Sequence, residues 1–261
     1  MEVVKTRYGQ LIASRNDIYI GLGLFEYGEF SEAEVEFFRK VIGKNDIVCD
    51  VGANIGAHTL AFSRLARHVY AFEPQPMLYH ALCGMIALNE LSNVTTIHAG
   101  CYSREGTLSY APLVMDQPNN FGALSLQPFS PERAIRVVKL ITDCQFLKVD
   151  VEGMELDVLR GATEMIRRCK PVMYVEADRK EKFPALLDYI HTLGYRAYWH
   201  TPALFNPQNF NGKSEDIWGG VASFNLICSP EPVSTWGESE AVEFPKDFQH
   251  QDFKSVVASL A

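Results

Sequence analysis

The alternation of strand-like and helix-like segments in the middle of the chain most constrains its fold. Short apolar runs such as Ile47–Val51 and His68–Phe72 are typical of buried strands, and each is followed by apolar residues at helical spacing. The same order repeats from 146–151 and from Val172–Glu176. Strands that alternate with helices form crossover units. The pattern therefore predicts an α/β fold with a mostly parallel sheet that helices cover on both faces.

The two ends of the chain depart from this alternation. The final strands, expected at 195–199 and 221–228, have no helix between them, so we expect this pair to be antiparallel. Before the first strand, Ser31 and Glu34 match a capping box, which predicts a helix that runs to about Ile42. We accordingly expect three parts: an N-terminal helical cover at 1–43, an α/β domain at 44–228 and a C-terminal tail at 229–261.

Charge and composition narrow the range of partners. The 261 residues include 24 Lys and Arg against 32 Asp and Glu, a net charge of −8, which disfavours a surface for the phosphates of nucleic acid. No apolar run approaches the roughly 18 residues that span a bilayer, and the N-terminus lacks the apolar core of a signal peptide. The six cysteines form no CxxC pair and are expected to be reduced thiols. We therefore expect a cytoplasmic protein without nucleic-acid or membrane partners; the sequence predicts no oligomeric state.

A glycine turn joins the first predicted strand to its helix. In Asp50–Gly56, glycines allow backbone N–H groups to approach a ligand, and the following helix N-terminus favours negative charge. Glu73 ends the next strand, where a carboxylate can accept the hydroxyls of a ribose. The dinucleotide fingerprint requires glycines where Asn54 and Ala57 stand, so NAD is disfavoured. The amino-acid end of S-adenosylmethionine does not need the tighter turn that a pyrophosphate requires, so it suits this turn.

Motifs along the chain extend this interpretation. They are DVGANIG (50–56), AFEPQP (71–76), LNELSNV (88–94), NFGALSL (120–126) and LKVDVEGME (147–155). In this order they resemble the FkbM family of S-adenosylmethionine-dependent methyltransferases. The resemblance implies a Rossmann-like class I methyltransferase fold, with a seven-stranded, mostly parallel sheet and an antiparallel last strand. It also implies S-adenosylmethionine as cofactor and methyl transfer, most often to a hydroxyl of a sugar, polyketide or other secondary metabolite.

The turn, the acid and the resemblance together suggest which residues contact the cofactor. We expect these to be Asp50, Gly52, Asn54, Gly56, His58, Thr59, Glu73, Pro74 and Gly100. For His58, an exposed position on the helix is the alternative. For the acceptor, we expect contacts from Asn120 and Ser125 in a long loop predicted at 111–134 and from Tyr19 and Tyr27 in the cover. Bracing of the loop and packing of the cover are the alternative roles of these four residues.

Ionisable residues interrupt the fourth predicted strand. Lys148, Asp150 and Glu152 alternate with apolar residues, so they point to one face of a strand that should be apolar on both. Ligands bind beyond the carboxyl ends of such strands. We predict that Asp150 and Glu152 orient and deprotonate a hydroxyl acceptor, with Glu176 next, while Lys148 keeps a carboxylate ionised. Alternatively, Lys148 and Glu152 form an ion pair and Asp150 caps the turn.

These residues leave several functions open. The favoured hypothesis is a base-assisted, in-line transfer of a methyl group to a small hydroxylated acceptor. N-methylation of an amine or a protein side chain is one alternative. A module that binds S-adenosylmethionine without catalysis is another. A cluster of Asp150, Glu152 and Glu176 is also compatible with Mg²⁺, but nothing in the spacing requires a metal, and we assign none.

Overall fold

A seven-stranded sheet lies at the centre of the structure. The computed structural model describes residues 1–110, 112–123, 126–127, 134–139 and 142–232. Ser125 and most of the predicted tail, from residue 233 onward, lie outside the described residues. The elements, in chain order, are β1 (Glu2–Lys5), β2 (Gln10–Ala13), α1 (Ile20–Tyr27), α2 (Glu32–Val41), β3 (Ile47–Val51), α3 (Ala57–Leu65), β4 (His68–Phe72), α4 (Pro76–Leu88), β5 (Val94–Ile97), β6 (Gly100–Cys101), β7 (Gly106–Tyr110), β8 (Leu126–Gln127), β9 (Ala134–Val138), β10 (Phe146–Val149), α5 (Glu155–Gly161), α6 (Thr163–Cys169), β11 (Val172–Glu176), α7 (Phe183–Thr192), β12 (Arg196–His200) and β13 (Asn225–Ser229).

The topology of the central sheet confirms the prediction. Its strand order is β12-β13-β11-β10-β3-β4-β5. The five strands from β11 to β5 are parallel, and β13 is antiparallel to both of its neighbours. No helix separates β12 from β13; the chain reverses direction through residues 201–224, and β13 inserts between β12 and β11. The result is the Rossmann-like arrangement that the sequence indicated.

Side chains of β10 show why the sheet is buried on both faces. Leu147 and Val149 point to one face and belong to the apolar cluster formed with α5, α6 and α7. Phe146 points to the other face and packs among the aromatic residues of α2 and α3. Each fully buried side chain of this size contributes about 1.5–3 kcal/mol to folding. Lys148 shares the face of Phe146 and is only 3% exposed, so its charge needs partners inside the protein.

The N-terminal cover contains more structure than the sequence predicted. An antiparallel hairpin of β1 and β2 and the helix α1 precede the expected helix, which is α2. The capping box was wrong, however. Ser31 has a left-handed backbone (φ 48°), and its side chain makes no capping hydrogen bond. The Glu34 side chain instead accepts hydrogen bonds from Ser223 and Asn225 near β13, so a tertiary contact replaces the local one.

Two further differences lie beside the central sheet. A small sheet of order β6-β9-β7-β8 includes β8, which lies within the segment predicted as a long loop at 111–134. The helix predicted around Met154–Arg168 is divided into α5 and α6 at Ala162. A Cβ on Gly161 would lie 2.1 Å from the carbonyl oxygen of Tyr102, so this close approach requires glycine. Among the described residues, no helix combines the length and apolar character needed to cross a membrane.

Candidate functional site

A cavity of about 400 Å³ opens beyond the carboxyl ends of β3, β4, β10 and β11. Most of the residues predicted for the site line it. They are Tyr19, Asp50, Gly52, Asn54, His58, Glu73, Pro74, Gly100, Asn120, Lys148, Asp150, Glu152 and Glu176. Of the remaining predictions, Gly56, Thr59 and Tyr27 do not line the cavity, and Ser125 lies outside the described residues. The cavity occupies the position where open α/β sheets bind ligands.

Backbone contacts hold the glycine turn against the neighbouring strands. The N–H groups of Gly52 and Ala53 both donate to the carbonyl oxygen of Phe72, at 3.0 Å. Gly52 has φ +85°, and a Cβ there would lie 1.8 Å from the carbonyl oxygen of Asp150. Asn54 also adopts a left-handed conformation (φ 53°), which asparagine tolerates better than most residues. The turn is therefore tight because β3 packs closely against both of its neighbours.

Gly56 and Thr59 support the turn without lining the cavity. Gly56 has φ +92°, and a Cβ would meet the side-chain ends of Met85 and Leu82 in α4, at 2.6 and 2.8 Å. Thr59 is buried and donates through Oγ1 to Oδ2 of Asp50, at 2.5 Å. Gly56 thus allows α3 and α4 to pack, and Thr59 fixes the orientation of a cavity carboxylate. Neither contact reaches the cavity directly.

Glu73 connects the turn to the end of β4. Its Oε2 atom accepts the N–H of Asn54 at 2.8 Å, and its Oε1 atom accepts the N–H of Gln75 at 2.7 Å. The residue is 5% exposed. Burial raises the pKa of Glu73 to about 7, against the effect of the two N–H donors. The carboxylate is therefore held in one orientation at the cavity wall.

Lys148 is the buried cation on the cavity floor. Its Nζ donates to Oδ2 of Asp150 at 3.0 Å and lies 3.8 Å from Oδ1 of Asp50. Burial lowers the pKa of Lys148, but the negative charges of Asp150 and Asp50 outweigh it, so this pKa lies above its ordinary value. Lys148 therefore remains charged and joins the end of β10 to the glycine turn.

The chain bends sharply after Asp150. Glu152 and Gly153 have φ +57° and +93°, and Arg179 bonds both Glu152 and Asp178. Burial, and next the charge of Asp150, raise the pKa of Glu152 to about 7. The same two causes raise the pKa of Glu176 well above its ordinary value. This end of the cavity thus collects several acids in a small volume.

His58 and Glu34 meet on the side of the cavity that faces the cover. His58 is 8% exposed, which contradicts the alternative of an exposed helix position, and its Nε2 atom lies 3.4 Å from Oε2 of Glu34. Burial, and next the charge of Lys148, lower the pKa of His58 well below its ordinary value, so the ring is neutral. Glu34 accepts from Ser223 Oγ at 2.5 Å and from Asn225 Nδ2 at 3.1 Å.

Sequence reasoning missed three charged residues of this cavity, Glu34, Asp178 and Arg179. Arg179 follows the acids that end β11, and a cation beside acids at a strand end was a usable signal. Glu34 carried no such signal, because Ser223 and Asn225 lie 189 and 191 residues away in the chain. Its polar role becomes visible only when α2 folds over the sheet.

The residues predicted to contact the acceptor have different positions. Tyr19 lines the cavity, as does Asn120, whose Oδ1 atom also accepts the N–H groups of Gly122 and Ala123 and so braces its own turn. Tyr27 is 2% exposed; its hydroxyl donates to the carbonyl oxygen of Glu215 and accepts the N–H of Ile217, each at 2.8 Å. Tyr27 therefore packs the cover against the 201–220 segment, outside the cavity.

Comparisons with known proteins agree with this geometry. The model of the methyltransferase FkbM domain matches residues 50–197, which is more than half of the chain. The methyltransferase sdnD of Sordaria araneosa is 30% identical over 188 residues, spanning 53% of this chain and 73% of the relative. The hexuronic acid methyltransferase AglP of Haloferax volcanii is 29% identical over 129 residues, spanning 48% of this chain and 53% of the relative.

A solved structure shows the same fold. The crystal structure of methyltransferase FkbM from Methylobacillus flagellatus superimposes with a TM-score of 0.50 at 18% sequence identity. The match covers 81% of this chain and 55% of that one. The chain thus spans little more than half the length of the hexuronic acid methyltransferase and of the crystallised FkbM protein.

Proposed function

Because the chain belongs to the FkbM methyltransferase family and is an S-adenosylmethionine-dependent methyltransferase, we propose that its acceptor is a hydroxyl group of a small metabolite. The observation that carries this proposal is the set of carboxylates beyond β10. Asp150 and Glu152 line the cavity past the glycine turn, where a hydroxyl that approaches the cofactor needs a group to orient it and remove its proton.

The cofactor is assigned to the end of the cavity formed by β3 and β4. The amino-acid part of S-adenosylmethionine fits the turn at Gly52 and Asn54, where the backbone lines the cavity. The ribose hydroxyls face Glu73, whose two oxygens are already oriented by backbone N–H groups. Pro74 and Gly100 line the adjoining wall, which suits the adenine. This places the methyl group toward β10.

The chemistry follows from the charges of the reactants. The sulfonium is an activated leaving group, so the S–C electron pair returns to sulfur without an acid. The acceptor oxygen forms its bond to the methyl carbon in line with the breaking S–C bond, and its proton passes to a cavity carboxylate. Asp150 and Glu152 are assigned this role, with Glu176 beside them, and Lys148 holds Asp150 in place.

A sugar-like acceptor suits the cavity and the relatives. The lining also includes hydrogen-bonding groups from the cover and from the segment 112–123, among them Tyr19 and Asn120. One relative is named as a hexuronic acid methyltransferase, which supports a polyhydroxylated acceptor for this chain as well. We propose this class together with Tyr19 and Asn120 as residues that contact it.

The test compares binding with turnover. Asp150→Asn and Glu152→Gln should lower kcat about 100-fold to 10,000-fold on a panel of glycosides, while calorimetry with S-adenosylhomocysteine gives unchanged affinity. Glu181→Gln, an exposed acid outside the cavity, is the matched control and should keep both values.

Three results would contradict parts of the proposal. Normal turnover in both amide variants would remove the role given to the carboxylates. A labelled methyl group found on nitrogen would replace the hydroxyl acceptor with an amine. Cofactor binding without transfer to any hydroxyl or amine in the panel would favour a non-catalytic binding module.

A further inference from the structure

Three carboxylates converge at the acceptor end of the cavity. Asp150 and Glu152 follow β10, Glu176 ends β11, and one carboxylate oxygen from each lies within 4.8 Å of the others. The two strands are parallel neighbours, with Val149 paired to Val175, so their ends meet at one edge of the sheet. Oxygen ligands at this spacing are those that hard divalent cations prefer.

A second observation points to a ligand at the same place. The Oε2 atom of Glu176 is shielded from solvent and has no hydrogen-bond partner in the part of the chain that the structure describes. The same holds for Oδ1 of Asp178, which also lines the cavity. Buried polar atoms in proteins are nearly always paired. These two unpaired acceptors at the acceptor end of the cavity therefore favour a donor or a cation that comes from outside the chain.

The acids at this end of the cavity outnumber the cations. The four acids named above face two cations, Lys148 and Arg179, and Lys148 is shared with Asp50. The hydrogen bond from Lys148 uses Oδ2 of Asp150, and the one from Arg179 uses Oε2 of Glu152. With all of these acids ionised and Asp50 counted among them, three negative charges remain, and clustered like charges are unfavourable in a space partly shielded from water. A divalent cation would offset two of them.

We propose that Asp150, Glu152 and Glu176 bind a divalent metal ion, Mg²⁺ or a similar hard cation. The sequence alone did not require such an ion; the convergence of β10 and β11 and the unpaired oxygens are what favour it. Octahedral coordination leaves positions beyond three carboxylate oxygens. An acceptor with two neighbouring oxygen atoms, such as a vicinal diol of a sugar, has the chemistry to occupy two of them.

This role for the ion rests on the proposed hydroxyl acceptor. An oxygen bound to the ion loses its proton more easily, because the cation stabilises the alkoxide. With the ion bound, the proton would pass to water while the oxygen forms its bond to the methyl carbon and the S–C electron pair goes to sulfur. Asp150 and Glu152 would then orient the acceptor through the ion, which replaces the direct proton transfer assigned to them in its absence.

Metal binding is measured without any acceptor. The full chain, first treated with EDTA and dialysed, is titrated with Mn²⁺ while electron paramagnetic resonance reports the free ion. We expect one saturable Mn²⁺ site that Mg²⁺ displaces. Glu176→Gln and Asp150→Asn should each weaken it at least about tenfold. Glu181→Gln should bind as the wild type does, and circular dichroism checks that all variants are folded.

The outcomes separate this inference from the proposed function. Absence of saturable Mn²⁺ binding, or equal binding by the wild type and both cluster variants, would overturn the metal site. Full methyl transfer to a hydroxyl in the presence of EDTA, with no Mn²⁺ bound, would keep the proposed function and remove the ion. If Mn²⁺ binding depends on Glu176 but the protein methylates no hydroxyl, the metal site would stand and the proposed hydroxyl acceptor would be wrong.

Discussion

The two ends of the cavity are built in different ways. At the cofactor end, hydrogen bonds from backbone N–H groups hold the turn. Gly52 and Ala53 donate to Phe72, and Asn54 donates to Glu73, so two adjacent strands define the turn. At the acceptor end, side chains at the ends of β10 and β11 converge, and Lys148 and Arg179 offset only part of their negative charge.

This difference teaches how each end tolerates change. A backbone turn depends on φ angles and on close approach, so it accepts few residues but is encoded in a short stretch of chain. A side-chain cluster depends on which distant segments meet, so single substitutions leave the fold intact and alter the chemistry. Damage at the first end should appear in cofactor binding and stability, and damage at the second end in turnover.

The largest effect on binding is expected at Glu73. In the proposed cofactor complex, Glu73→Ala would remove two charge-assisted hydrogen bonds to the ribose of ~1.5–3 kcal/mol each, and the N–H groups of Asn54 and Gln75 lose their acceptor. Affinity for S-adenosylhomocysteine should fall at least ~100-fold by calorimetry. Glu152→Gln, from the other end, should retain that affinity. If both variants lost the same affinity for S-adenosylhomocysteine, the proposed difference between the two ends of the cavity would be wrong.

The two glycines of the turn sharpen the comparison within the cofactor end. Gly52→Ala forces a Cβ against a backbone carbonyl at φ +85°, which should cost about 3 kcal/mol of unfolding free energy and weaken cofactor binding. Gly56→Ala meets only the flexible ends of Met85 and Leu82, so about 1–2 kcal/mol is expected, with affinity unchanged. Urea unfolding and calorimetry measure both quantities. A similar loss of affinity in Gly56→Ala would mean that this glycine also serves the ligand.

The smallest effect is expected at Tyr27, which the structure places outside the cavity. Tyr27→Phe leaves the carbonyl of Glu215 and the N–H of Ile217 without their partner, so unfolding free energy should fall by about 1–2 kcal/mol. The acceptor KM should not change, and steady-state kinetics checks this. A large rise in KM would show that the acceptor reaches the cover at this residue.

The parts of the site that could be predicted are those in which pattern and chemistry coincide locally. Glycines before a helix and an acid at the next strand end were enough to expect Gly52 and Glu73 at the cavity wall, and both line it. The capping box failed at Ser31 because a buried contact near β13 competed for Glu34. For Tyr27, a position in the cover did not reveal which side of the cover its ring would face.

The sequence by itself determined the order of strands and helices in the central sheet, the position of the glycine turn and, through its motifs, the resemblance to the family, because periodicity, glycine placement and motifs act over a few residues at a time. Only the tertiary structure decided that Glu34 and Arg179 share one cavity with Lys148 and the acids of β10 and β11. The physical reason is that burial and charge compensation depend on which distant segments the fold brings within a few ångströms of each other. The spacing of residues along the chain does not predict that distance.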